Sequence, residues 1–290
     1  MKPLHIRFWG TRGSTPTPGR STVRYGGNTA CVEIRYEDQI LICDSGTGIR
    51  ELGLNLMKEF KGRPFEGSLF ISHTHWDHIQ GFPFFVPAYL PKNRFRIYSG
   101  KTVGDSFETI FRQQMGINYF PVEVGDMASQ LDFLQVDGRG FDVGPVKIQT
   151  TFTNHPGINF AFRFGFNGGR SVVYLTDHEN NQALSQGSEL AARQDRKVED
   201  FCRGTDLLIC DSQYNDEEYE TKRGWGHSRW KDSLELGIAA EVKRLAFFHH
   251  EPMRSDDDLD GTTEAARKIV REKGGSMDCF CAKEGQSISL

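Results

Sequence analysis

A chain of 290 residues with 37% hydrophobic and 26% charged side chains has the makeup of a soluble globular protein, and the length of one large domain or two small ones. Its net charge of -4 supplies no basic excess, which argues against a long RNA or DNA substrate and leaves room for a small phosphorylated ligand held by metal ions. The start from Met1 to Gly10 lacks the apolar core of a signal peptide, and no run of about 18 apolar residues marks a membrane span.

In chain order, Leu4 to Trp9 alternates and predicts a strand. A loop rich in Gly, Pro, Ser and Thr follows at 10–20; on composition alone it is a connector. Ala30 to Tyr36 and Gln39 to Cys43 predict a hairpin about Glu37-Asp38. The second strand ends at Asp44-Ser45-Gly46, where a carboxylate before a Gly-rich turn is a ligand or a loop anchor. Ile49, Leu52, Leu56, Met57 and Phe60 share one face of an amphipathic helix. The apolar strand Gly67 to Ile71 then runs into Ser72-His73-Thr74-His75-Trp76-Asp77-His78. Phe82 to Leu90, interrupted by Pro83 and Pro87, offers a homodimer interface, core packing or a substrate wall.

Phe95 to Tyr98 predicts a strand and Asp105 to Met115 a helix, while 116–140 is poorly patterned and suits an insertion near the substrate opening. Pro145 to Phe152 is a strand leading to His155. Ile158 to Phe166 and Ser171 to Leu175 form a hairpin about Asn167-Gly168-Gly169, leading to Asp177-His178. A polar helix at 188–203 precedes the strand Asp206 to Asp211. Gly224-Trp225-Gly226-His227-Ser228 opens a helix at 229–243, with Ser228 placed to cap it. Arg244 to Phe248 is a strand ending at His249-His250; Asp258 to Lys273 is the last helix and Met277 to Ala282 the last strand. No linker and no short repeat divides the chain, so one domain over 1–290 is expected, with two sheets face to face and helices outside. The six cysteines have no CxxC spacing and sit in apolar runs; buried reduced thiols and a cytoplasmic location are expected.

Three imidazoles and one carboxylate fall within six positions at His73, His75, Asp77 and His78. Imidazole nitrogen and carboxylate oxygen suit zinc, manganese or iron. In an extended backbone His73 and His75 share a side, and Asp77 and His78 follow at the turn, where a second ion can face them. His155, Asp177 and His249 also follow strand-like runs, and ligands at several strand ends can converge on one edge of a sandwich. Five histidines and two aspartates suffice for two ions, one carboxylate bridging them.

The stretch from His73 to His78 is an HxHxDH signature and resembles the metallo-β-lactamase superfamily. The resemblance covers nearly the whole chain and is closest to the phosphodiesterase branch, which includes ribonuclease Z and small phosphodiesterases. It implies an α+β fold, an αββα four-layer sandwich of two mixed sheets with helices on the outer faces. It implies that the loop at 10–20 lies beside the metal site and that Asp44 anchors the metal-bearing loops. It also implies that His73, His75 and His155 hold one metal, that Asp77, His78 and His249 hold another, and that Asp177 bridges; His250 is the alternative to His249. His178 and His5 stay outside the set. A histidine at the position of His227 contacts the scissile phosphate in ribonuclease Z and its relatives, so His227 and Asp77 are the expected catalytic residues.

The implied function is a hydrolase with two divalent ions, zinc first and manganese or iron as alternatives. It cleaves a small phosphodiester such as a cyclic nucleotide through a metal-activated water. The rivals are tRNA 3′-end processing, which calls for an exosite arm and basic patch not evident here, and hydrolysis of a carboxylic ester, thioester or lactam. Partners are then a small phosphodiester and a second copy in a homodimer, with no membrane.

Overall fold

The computed structural model describes residues 2–100 and 105–290. The chain divides into two compact units: Met1–Pro18, Gly26–Asp137 and Lys283–Leu290 form the first, Gly19–Tyr25 and Gly138–Ala282 the second.

The elements of the first unit are the strands β1 (Leu4–Gly10), β2 (Cys31–Tyr36) and β3 (Gln39–Cys43), the helix α1 (Gly48–Phe60), β4 (Glu66–Phe70), the single turn α2 (Trp76–Ile79), β5 (Arg94–Gly100), α3 (Phe107–Gln113) and β6 (Gln130–Val136). Those of the second are β7 (Phe141–Val143), β8 (Val146–Phe152), β9 (Phe160–Gly165), β10 (Ser171–Leu175), α4 (Asn181–Leu184), α5 (Glu189–Cys202), β11 (Leu207–Asp211), α6 (Asp216–Glu220), α7 (Trp230–Ala239), β12 (Arg244–Phe248), α8 (Asp256–Glu272) and β13 (Asp278–Cys281). The last strand, β14 (Ser287–Ser289), returns to the first unit.

Each unit builds one seven-stranded mixed sheet, in the orders β14-β1-β2-β3-β4-β5-β6 and β7-β8-β9-β10-β11-β12-β13. Both follow one plan of antiparallel pairings, up to β3 in the first and β10 in the second, then parallel pairings beyond. The plan explains the sequence pattern. Hairpins suffice for antiparallel neighbours, whereas parallel ones need a crossover, and helices appear only from that point on in each unit. Glu37, at φ 55°, makes the tight turn between β2 and β3. The parallel strands β4, β10 and β11 are buried on both faces, hence their near-continuous apolar runs.

In the first unit Ile49, Leu52 and Leu56 of α1 pack with Ile40, Ile42, Leu69, Phe95, Phe82, Phe85 and Phe111. Each fully buried side chain of this size contributes about 1.5–3 kcal/mol. The 82–90 stretch is thus largely core: Phe82, Phe85 and Ala88 are fully buried, while Phe84 is 54% exposed. The second unit has its own core of Val173, Leu175, Leu208, Leu245, Phe247 and Leu259, among others.

Several sequence expectations need correction. The 116–140 region is more than an insertion: β6 adds to the edge of the first sheet, paired in parallel with β5 from Arg94↔Gln130 to Gly100↔Val136. Its half-exposed residues lack the alternation of a strand with one covered face. The short edge strands β7 and β14 carry no sequence signal of their own. The helix expected at 229–243 ends at Ala239, where Ala240 leaves the helical backbone. Its cap is Arg229, whose side chain pairs with Asp232; the Ser228 hydroxyl donates to the His178 carbonyl instead. The last helix begins two residues early because Ser255 and Asp258 form a reciprocal capping box.

All six cysteines are buried free thiols. Burial pushes the thiols of Cys202 and Cys281 up to about 12, and a thiol rather than a thiolate is a poor nucleophile. The native protein should therefore leave essentially all six thiols unreacted with a disulfide-exchange chromophore at pH 8, and release them on denaturation. Fast titration of any thiol before unfolding would contradict this burial.

Candidate metal centre

The candidate ligand side chains follow the ends of strands. In the first unit β3 delivers Asp44 and β4 delivers His73 to His78; both strands run parallel, so both loops lie at one edge of the sheet. In the second, β8, β10, β11 and β12 run in the same direction and are followed or closed by His155, Asp177, Asp211 and His249. Carboxyl ends of strands are where open α/β sheets hold ligands.

The backbone at these ends is strained. Asp44 (φ 57°), Asp177 (φ 49°) and His249 (φ 61°) are all left-handed without being glycine. Aspartate and histidine tolerate this region better than most residues, yet each such residue persists only where surrounding contacts hold it.

Asp44 anchors the first set. Fully buried, it accepts from the Ser72 amide at 2.7 Å, from the Ser72 hydroxyl at 2.9 Å and from His78 Nδ1 at 2.7 Å. His78 Nε2 then lies 3.2 Å from Asp77 Oδ2. The rings of His75 and His78 sit 4.4 and 4.3 Å from that of His73. Asp77 also accepts from the Ser14 amide at 2.7 Å, so the 10–20 loop does lie beside these residues. Packing is tight: a Cβ on Gly46 would come within 2.3 Å of the Asp77 carbonyl oxygen. Replacing Asp44 by alanine removes the acceptor that orients His78. The expected result is a 10- to 100-fold loss of metal affinity, the usual cost of losing such a partner, read by competition with a chromogenic chelator. Unchanged affinity would deny Asp44 that role.

The second set converges on Asp177. Its Oδ1 is 3.3 Å from His249 Nε2 and its Oδ2 3.7 Å from His155 Nε2, so each oxygen faces a different histidine. Each ring is held through its other nitrogen: His249 Nδ1 by Gln213 Oε1 at 3.0 Å, His155 Nδ1 by the Gly226 carbonyl at 2.9 Å. Gly226 sits at φ 88°, and a Cβ there would meet His155 Nδ1 at 2.2 Å. Thr176 donates to Asp177 Oδ1 at 2.7 Å. His250 is excluded by its own bonding, because its Nε2 lies 2.8 Å from the Ala282 carbonyl and its ring packs edge-on against Tyr25.

His227 stands beside this set. Its Nδ1 is 2.7 Å from Asp211 Oδ2, and its ring stacks on His249 with centroids 5.0 Å apart. Asp177, Asp211, His227 and His249 each bring one donor atom within 4.8 Å of the others. The 224–228 loop is fastened by Glu179, which accepts from the amides of Gly224 and Gly226 at 2.9 and 3.0 Å and from the Tyr219 hydroxyl at 2.7 Å. Asp211 and Glu179 have no assignment in the sequence reading. The available signal for Asp211 was the same as for Asp44 and Asp177, a carboxylate where an apolar strand stops. His178 lies apart as expected: its Nδ1 accepts from the Asn154 amide at 3.1 Å, and burial lowers its pKa, favouring the neutral ring. His5 is exposed and bonds Ser289.

The donors fit divalent ions. His78, His155 and His249 each give Nδ1 to a carboxylate, carbonyl or amide oxygen and hold Nε2 close to a carboxylate oxygen, which is how metal-binding histidines are oriented. Two donors at about 2.0–2.2 Å from one tetrahedral ion lie roughly 3.3–3.6 Å apart, near the separations found around Asp77 and Asp177.

Residues 42–250 match the family described as the Beta-lactamase superfamily domain. The chain belongs to the metallo-β-lactamase superfamily. It is 23% identical to a ribonuclease Z of Thermoplasma acidophilum over 95% of this chain and 94% of that one. Among solved structures, the metallo-β-lactamase fold protein YhfI from Bacillus subtilis aligns with a TM-score of 0.67 at 18% identity, covering all of both chains. The short form of human tRNase Z aligns with a TM-score of 0.64 at 19% identity, covering 99% of both. The fold is therefore the metallo-β-lactamase fold expected from the HxHxDH signature, and the chain is a metal-binding hydrolase of this superfamily. No described helix is long and apolar enough to cross a membrane.

Proposed function

We propose that this superfamily member is a dinuclear metal-dependent phosphodiesterase. In this reading His73, His75 and His155 bind one ion, Asp77, His78 and His249 the other, and Asp177 bridges them. The observation that carries it is Asp177 itself, with one carboxylate oxygen toward His155 and the other toward His249. Zinc is the first candidate, with manganese or iron acceptable to the same donors. When bound, such ions supply Lewis acidity toward phosphoryl oxygens and make a water more acidic.

The chain's own residues do the rest. Asp77, steadied by the Ser14 amide, orients the attacking water. His227 points Nδ1 at Asp211, which leaves Nε2 to carry the proton that the departing oxygen needs. A phosphodiester makes use of that proton donor, since expelling an alkoxide from phosphorus is costly without one. The substrate is a small phosphodiester, in keeping with the net charge of -4.

A second reading, processing of tRNA 3′ ends, has equal support from relatives, because the ribonuclease Z matches run nearly end to end. One experiment separates the readings. Metal-loaded protein is assayed on bis(p-nitrophenyl) phosphate, 2′,3′- and 3′,5′-cyclic nucleotides, a 3′-extended tRNA precursor and a chromogenic lactam. Turnover of the small diesters with an inert precursor is expected. Efficient precursor cleavage selects the second reading, and lactam cleavage indifferent to His227→Ala removes both.

A further inference from the structure

The metal loop has a second side. Thr74 and Trp76, which flank His75 in sequence, line a cavity of about 470 Å³ together with Gln80, Pro83 and Phe84, and with Gln113 of α3 and Gln114, Tyr119 and Phe120 after it. The cavity lies wholly within the first unit. Its walls are aromatic and open to solvent: Trp76 is 78% exposed, Tyr119 81% and Phe84 54%. Phe84 is braced edge-on by Phe120 at 5.5 Å. Large rings left this exposed around one hollow are costly unless something covers them. The cavity is not uniformly apolar. Gln80, Gln113 and Gln114 place carboxamides on its lining, and Gln114 Nε2 is buried without a hydrogen-bond partner among the described residues. A buried amide donor left unmet is unfavourable, and a ligand acceptor would satisfy it.

Flat aromatic faces beside amide donors and acceptors fit a planar heteroaromatic ring with a hydrogen-bonding edge. We propose that this cavity binds the nucleobase of the substrate, so that the diester cleaved is a nucleotide. This deepens the phosphodiesterase reading and rests on it. The ring stacks against Trp76, Phe84 or Tyr119, Gln114 meets its edge, and the phosphate falls toward the ligands that flank Trp76. Stacking tolerates any base, so the preference is for a base over none, with weaker discrimination among bases.

The test compares binding of AMP, ribose 5-phosphate and phenyl phosphate to metal-loaded protein by calorimetry, for the native chain, Tyr119→Ala, Phe84→Ala and Gln114→Leu. These residues lie outside the metal-ligand stretch, and metal content is measured for each variant. AMP should bind about 5- to 150-fold tighter than ribose 5-phosphate, the range that stacking on an aromatic side chain spans. It should also bind tighter than phenyl phosphate, which has a ring but no polar edge. The first margin should shrink in Tyr119→Ala or Phe84→Ala and the second in Gln114→Leu, at unchanged metal content. Equal binding of AMP and ribose 5-phosphate overturns the proposal, as does a margin that survives all three variants. A dimer that dissociates in Tyr119→Ala, seen by sedimentation, would assign the cavity to a second copy instead. The two readings fail separately: bis(p-nitrophenyl) phosphate hydrolysis without an AMP margin sinks the base site alone, whereas an AMP margin without hydrolysis sinks the phosphodiesterase reading.

Discussion

His227→Ala should lower kcat for a phosphodiester by about 10²- to 10⁴-fold, the range for a positioned general acid, while metal content stays at the native level. The expectation rests on two features. His227 is tied to Asp211 through Nδ1 at 2.7 Å, and its ring is stacked on His249 without belonging to the proposed ligand set. The loss should depend on the leaving group. An alkoxide needs the proton, so ordinary nucleotide diesters should suffer most. A p-nitrophenolate leaves without much help, so bis(p-nitrophenyl) phosphate should suffer least. Asp211→Asn should act in the same direction, and the double variant should be little worse than His227→Ala, because residues acting as a unit are not additive. Equal losses on both substrate types would assign His227 to charge stabilisation rather than proton transfer. Metal loss in His227→Ala would make it a ligand.

Asp177→Ala should remove the group that both His155 and His249 face. Metal stoichiometry should fall below that of the native chain, and hydrolysis should drop by roughly 10³-fold or more, since Lewis-acid stabilisation of several kcal/mol is at stake and each 1.36 kcal/mol is tenfold. Asp177→Glu should recover little of either, because the longer side chain cannot keep both oxygens in register from a residue held at φ 49°. Chelation of the native protein followed by readdition of ions one equivalent at a time should mirror these losses. Full activity with one ion per chain, or an Asp177→Ala protein with native stoichiometry, would exclude the bridging role. Metal content is measured by atomic emission and activity on the same sample.

Much of this protein is readable from local pattern. The hairpin about Glu37-Asp38, the amphipathic helix after Asp44 and the buried strand before His73 follow from periodicity and turn chemistry within a few residues, and each is found where that pattern places it. The strands that escaped notice are those whose existence depends on a distant neighbour. Ser287–Ser289 is a strand only because Leu4–Gly10 presents a free edge to it, and Gln130–Val136 only because Arg94–Gly100 does.

The same division holds for the site. The sequence by itself determined the donor types, because imidazole and carboxylate clustered after apolar strands have few other uses, and the HxHxDH spacing pointed to the superfamily. Tertiary structure alone decided what each donor's second atom touches. His249 and His250 are neighbours of one chemistry, yet one faces Asp177 and the other the Ala282 carbonyl, because the chain leaves β12 through a left-handed residue at His249 (φ 61°) and turns between them. Asp211 gained a role only when the 224–228 loop, fastened by Glu179, brought His227 to it across 16 residues of chain. A ring's partner is a property of packing between remote segments, and no local period records it.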